Sequence, residues 1–133
     1  MTTLSATTAT VDRTKGIARA SNRRVVLWAG QFVIAAAFLM AGGSKLAGAP
    51  AMVALFNAIG IGQWFRNMTG TIEVGSAIAL LVPSLAPYGA LVLVATMAGA
   101  VFTHLFIVGG SPLPALVLGA GAAAIAWARR DQF

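Results

Sequence analysis

The chain has 133 residues, of which 59% are hydrophobic and 9% are charged. A soluble domain of this size would need far more polar surface to cover its core, so the composition predicts a single membrane domain. The absence of cysteine excludes disulfide chemistry, thiolate catalysis and iron–sulfur ligation within this chain.

The net charge of +6 comes from nine lysines and arginines against three acidic residues. A basic balance of this kind raises the question of a nucleic-acid partner. The cations, however, sit mainly at the ends of hydrophobic runs, where they are typical of segments that set membrane orientation. Seven of them flank the first and last runs: Arg13, Lys15, Arg19, Arg23, Arg24, Arg129 and Arg130. We therefore expect lipid, and no nucleic acid, as the partner.

The first 22 residues are rich in Thr and Ala and have no sustained apolar face, which predicts a flexible basic tail. A transmembrane domain is predicted over residues 23–130, and its first span covers about 25–41. Gly42 and Gly43 then weaken the helix. A cleavable signal peptide is the rival interpretation of this run. A long basic segment before the run and a lysine close to the cut both argue against it.

The segment from Pro50 to Ile59 is too short to span a bilayer. Proline suits its first turn and Gly60 suits its exit, which predicts a short helix. Its apolar residues recur at helical spacing, as expected of a helix that lies along the membrane interface: Met52, Leu55, Phe56 and Ile59. Three further spans follow at about 67–82, 88–108 and 113–128, so the fold class is predicted as all-α. The expected architecture is a four-helix membrane bundle with this interfacial helix between helices 1 and 2.

Four spans place both termini on the same side of the membrane. That side would carry the seven flanking cations, and the other side would carry only Lys45 and Arg66. The positive-inside rule therefore predicts cytoplasmic N- and C-termini.

With this topology, Lys45, Glu73 and His104 come from three separate helices and converge at one depth in the outer half of the membrane. Glu73 is the single acid outside the two terminal segments, and His104 is the single histidine. Pairing of Glu73 with Lys45 or Arg66 would offset the cost of a charge in hydrocarbon. These four residues are the candidates for ligand binding or proton relay, and an imidazole exchanges protons near neutral pH.

Two interpretations of this cluster stay open. The charged groups could simply tie three helices together and set their register, or they could bind a ligand and move protons. A metal or haem site is not expected, because one imidazole and one carboxylate are too few ligands. Gln31 is predicted to form a hydrogen bond between helices. No catalytic residue is identified.

The chain also resembles the DoxX-like family of bacterial integral membrane proteins over residues 25–130. The resemblance rests on four stretches in a fixed order: AGGSKLAG (Ala41–Gly48), FNAIGIGQWFR (Phe56–Arg66), TGTIEVGSAIALLVP (Thr69–Pro83) and THLFIVGGSPLPALVL (Thr103–Leu118). It implies a four-helix bundle in the bacterial cytoplasmic membrane, with family motifs at Lys45, Glu73 and His104.

The resemblance also implies a link to quinone chemistry. Some members of the family are membrane subunits of a quinol oxidase or a thiosulfate:quinone oxidoreductase, and others are linked to oxidative stress. We therefore expect a membrane subunit or small-ligand binder, with quinone as the possible cofactor and an oxidoreductase as a possible partner subunit. Any enzymatic role would be that of an accessory subunit. The alternatives are a non-catalytic scaffold or assembly factor, and a small transporter that would need to form a homo-oligomer.

Overall fold

A computed structural model describes residues 2–133, and over these residues the chain is helical and has no strand. Five α-helices follow one another along the chain. They are α1 (Thr2–Ala47), α2 (Pro50–Ile59), α3 (Gln63–Leu80), α4 (Ala86–Thr103) and α5 (Leu113–Ala128). The prediction of an all-α fold is confirmed.

The first helix is much longer than the predicted first span. It begins in the basic segment that we interpreted as a tail and continues to Ala47 without a break. The segment contains no proline, and threonine hydroxyls such as that of Thr7 bond back to the carbonyl four residues earlier, so nothing in it interrupts the helical ladder. Side chains 3–26 are all exposed, so this part of α1 projects from the helical core.

The short second helix has the predicted bounds. Pro50 occupies its first turn, and Gly60 caps it in the left-handed conformation (φ 88°), with its N–H donated to the Phe56 carbonyl. Gly48 ahead of the helix also has a positive φ of 72°. Glycine adopts these angles without strain, so α2 is set off by a sharp turn on each side.

The remaining helices differ from their predicted spans only at the ends. α3 begins four residues before Asn67, α4 begins at Ala86, and α5 has the predicted bounds. From His104 to Val108 the helix continues from α4 in wider π-helical turns.

The four longer helices pack in a closed antiparallel cycle, in which α1 contacts α3 and α5, and α4 contacts the same two helices. Phe38, Leu80 and Leu93 are fully buried at its centre among small residues such as Ala77 and Ala122. Small side chains let the backbones approach closely, as at Gly89, where an added Cβ would lie 2.8 Å from the Ser76 carbonyl oxygen.

Large apolar side chains cover the outside of the molecule. Two helical stretches of the described chain, in α1 and over residues 86–108, are long and apolar enough to cross a membrane. Many side chains with more than half of their surface exposed are apolar, among them Phe32, Val33, Met40, Phe106, Val117 and Trp127. An exterior of this kind is typical of proteins that contact lipid.

Candidate functional site

The site is built around an ion pair between α1 and α3. Lys45 lies in the last turn of α1, and its Nζ is 2.8 Å from one carboxylate oxygen of Glu73 and 3.1 Å from the other. The Glu73 side chain is 2% exposed and that of Lys45 is 14% exposed. The buried carboxylate is thus neutralised by a bidentate contact, which offsets the cost of its removal from water.

Two glycines bring the helices close enough for this contact. A Cβ added to Gly42 would lie 2.9 Å from the Gly70 carbonyl oxygen, and one added to Gly70 would lie 3.0 Å from the Gly42 carbonyl oxygen. The helices therefore touch backbone to backbone, one turn away from the ion pair. Gly42 lies inside α1 and permits this crossing, contrary to our expectation that it would loosen the helix.

Arg66 has a different role from the one that we considered. Its Nη1 donates to the Lys45 backbone carbonyl, and its Nε donates to Gln63 Oε1 at 2.7 Å. The Lys45 carbonyl also accepts from the Gly48 N–H, so the guanidinium is a second donor to this group. A cation at the C-terminus of α1 also complements the helix dipole. Of the two cations proposed as partners of Glu73, the structure pairs Lys45 with it.

His104 opens the π-helical segment. Its Nδ1 is 3.0 Å from the Gly109 carbonyl oxygen, in a turn where Gly109 and Gly110 both have positive φ angles. Because a carbonyl only accepts, Nδ1 must be the donor, and the Nε2 of a neutral ring then keeps its lone pair. π-helical turns are frequent at functional sites.

A cavity of about 710 Å³ joins these groups, since Lys45, Glu73 and His104 all line it. Most of the remaining wall is apolar or small. Along α4 the wall includes Ala95, Gly99 and Thr103, small residues one turn apart, together with the larger Met97 and Phe102. A cavity of this size is within the range of sites that bind small molecules. Arg66 does not line it.

The α2 helix supplies a wall that the sequence reasoning missed. The apolar face predicted for this helix lines the cavity: Met52, Leu55, Phe56 and Ile59. Gln63 holds α2 in place, because its Nε2 donates to the Val53 carbonyl at 3.1 Å and to Asn57 Oδ1 at 2.8 Å. Helical spacing identified this face correctly, but it could not say what the face would cover.

A second polar cluster lies at the opposite end of the helices. The fully buried Gln31 donates to the Leu80 carbonyl at 2.7 Å and accepts a hydrogen bond from Arg129 Nε at 2.6 Å. The Arg129 guanidinium also lies 4.9 Å from the centre of the Trp28 ring. Burial lowers the pKa of Arg129, but a guanidinium remains charged at any physiological pH. The prediction that Gln31 bonds between helices is confirmed.

Comparison with known proteins identifies the family. A family model described as DoxX-like matches residues 29–129, which include both polar clusters. The chain belongs to the DoxX-like family. The resemblance drawn from the sequence motifs is therefore confirmed, and the basic segment before residue 29 lies outside the match. No curated protein and no solved structure matches this DoxX-like chain.

The site of this DoxX-like protein combines a hydrogen-bond donor, an acceptor and an apolar enclosure. Lys45 has three N–H groups, of which two suffice for the Glu73 contacts, so one remains for a ligand. His104 keeps Nε2 as an acceptor or a proton carrier. The arrangement suits a flat, largely apolar molecule that bears oxygen atoms.

Proposed function

We propose that the protein crosses a bacterial plasma membrane four times, with both termini in the cytoplasm. The apolar exterior supports a location in the membrane. At 1.5 Å per residue, the 18 residues of α3 extend over about 27 Å, close to the thickness of the hydrocarbon layer. The cation-rich ends of α1 and α5 would then face the cytoplasm, as the positive-inside rule requires.

Within this bundle, the cavity binds a small amphipathic molecule with a quinone-type head group. One observation carries the proposal: a buried Lys–Glu pair and a histidine from three helical segments line one largely apolar cavity. The free N–H of Lys45 would donate to a quinone carbonyl, and His104 Nε2 would accept from the hydroxyl of the reduced form. The apolar wall would hold the ring and the start of its tail.

The space beside the ion pair argues against a purely structural role. A pair that only fixes the register of two helices is served best by close packing, because empty volume forfeits van der Waals contacts. Here the pair borders a partly open space of about 710 Å³. A ligand in this space would make contacts with its apolar wall that the protein does not make itself.

The protein would act as the quinone-binding membrane subunit of a redox or oxidative-stress system. Cysteine chemistry is excluded by composition, so electrons would come from an oxidoreductase partner. His104 and Glu73 would serve as the proton relay to the bound head group, which makes the chain an accessory subunit.

Thermal stability of the purified protein tests this function. A short-chain quinone should raise the unfolding midpoint of the native protein in a saturable manner. His104→Leu should reduce this shift by a large fraction, because it removes the acceptor while leaving the Lys45–Glu73 pair in place. The control Thr71→Val alters an exposed residue of α3 outside the cavity and should leave the shift unchanged. No quinone-dependent shift in the native protein would contradict the proposal.

The exposed basic part of α1 favours a second candidate, a scaffold for a partner membrane protein. Side chains 3–26 contact no other part of the described chain closely enough to be buried. If the triple variant Arg13→Gln, Lys15→Gln and Arg19→Gln abolishes function in cells while the purified variant keeps its quinone-dependent shift, docking by this segment is essential.

A further inference from the structure

A shallow surface groove lies between α1 and α5, at the end of the molecule that carries Gln31 and Arg129. It has a volume of about 370 Å³ and is lined by Asn22, Arg23, Val26, Leu27 and Ala128. Along α1 the wall begins with the polar residues Asn22 and Arg23, and one turn later it continues with the apolar residues Val26 and Leu27. We call it the basic groove.

Positive charge beside the basic groove has no acidic partner. Arg129 follows the lining residue Ala128, is 8% exposed, and contacts the neutral groups of Gln31, Gln132 and Trp28. Among residues 2–133, Lys45 and Glu73 form the one ion pair, and it lies at the other end of the helices. The buried guanidinium of Arg129 and the exposed guanidinium of Arg23 both lie at this end of the molecule, and together they create a positive potential there.

We propose that the basic groove binds an anionic phospholipid. Arg23 contacts the headgroup phosphate, the charge of Arg129 adds to the attraction, and an acyl chain lies against Val26, Leu27 and Ala128. The polar-to-apolar order of the wall matches the order of headgroup and chain in a lipid. A free phosphate ion would satisfy the charge and leave the apolar half unfilled. This site requires only that the chain lies in a membrane and is separate from the quinone cavity.

The orientation of the chain agrees with such a ligand. Clusters of Lys and Arg beside a membrane-crossing helix attract anionic lipids of the cytoplasmic leaflet, with about 1 kcal/mol for each cation, or about fivefold in affinity. General attraction of this kind acts on every cation of α1. A specific site instead predicts that substitution of Arg23 weakens lipid binding more than substitution of a cation elsewhere on the same helix.

Native mass spectrometry of the full chain in detergent tests the inference. The protein is mixed with phosphatidylglycerol, with phosphatidylcholine of the same acyl chains, or with inorganic phosphate. We expect one phosphatidylglycerol retained per chain, with little phosphatidylcholine and no phosphate. Arg23→Gln should weaken retention about fivefold. Arg13→Gln removes the same charge from an exposed position that does not line the groove, and it should weaken retention much less than Arg23→Gln does.

Arg23 is exposed, so its substitution is not expected to impair folding, and the quinone-dependent thermal shift of the same variant provides the check. Equal retention of both lipids, an equal loss for Arg13→Gln and Arg23→Gln, or retention of phosphate alone would overturn the proposal. A normal quinone shift together with lost lipid retention would show that the two sites are independent.

Discussion

Single residues account for the electrostatics of the candidate site. Glu73 is almost completely buried, and the ammonium of Lys45 provides its charge partner. Loss of one member of such a pair leaves the other charged and desolvated, whereas replacement of both by apolar residues is often tolerated.

We therefore predict opposite outcomes for two variants of the pair. Glu73→Gln should lower the free energy of unfolding by about 3–5 kcal/mol, because it leaves the Lys45 ammonium without a counter-charge. The double variant Lys45→Met with Glu73→Met should recover most of this loss. Denaturant unfolding in detergent measures both. If the double variant is as unstable as Glu73→Gln, the penalty does not arise from an unpaired charge.

The sequence predicted some site residues and not others, for a physical reason. Lys45, Glu73 and His104 stand out because ionisable groups are rare and expensive in apolar helices. The sequence does not reveal that Arg129 is buried, since an arginine after the last apolar run is also typical of an exposed flank of a membrane span. Its contact with Gln31 joins residues 98 positions apart, and only the packing of α1 against α5 creates it.

Among the helices, the bounds of α2 and α5 agree with those predicted, because prolines and glycines in the sequence mark where helices begin and end. The beginning of α1 was not predicted, because the same basic, Thr- and Ala-rich composition suits a flexible tail or a helix. The glycines of the α1–α3 crossing were also ambiguous. A glycine inside a helix can destabilise that helix or allow another helix to pack closely against it. Which of the two applies depends on the position of the neighbouring helix, which the sequence does not show.

Gly42 and Gly43 provide a matched test of that crossing. Gly42→Ala would place a Cβ 2.9 Å from the Gly70 carbonyl oxygen, so the helices must move apart. We expect a loss of about 1–3 kcal/mol in unfolding free energy, as for overpacked cores. Gly43→Ala meets nothing within 4 Å and should be neutral or stabilising by about 0.5–1 kcal/mol through helix propensity. Similar effects of the two changes would contradict the close contact.

At the scale of the whole molecule, the proposal depends on the orientation of four spans. Because the chain has no cysteine, single-cysteine variants report accessibility without background. Ser84→Cys lies in the turn between α3 and α4, and Ile61→Cys lies between α2 and α3. In intact cells, a membrane-impermeant maleimide should label Ile61→Cys, and should label Ser84→Cys only after the membrane is opened. The reverse pattern would place the termini outside.

The two ends of the molecule differ in structure. The end with Lys45, Glu73 and His104 has a partly open cavity that α2 helps to line, and the opposite end is closed by Gln31 and Arg129. The order of the helices followed from the apolar runs in the sequence. The cavity did not, because the space depends on how residues of α2, α3 and α4 are arranged around it.

Photoaffinity labelling asks whether a quinone occupies the cavity lined by Lys45, Glu73 and His104. The purified full-length protein is irradiated with an azido-quinone, digested and sequenced by mass spectrometry. We predict label on α2 and on the His104 segment, displaced by excess unmodified quinone and absent from the Lys45→Met, Glu73→Met double variant. Label confined to the outer apolar surface, or label that persists undiminished in that variant, would contradict the account.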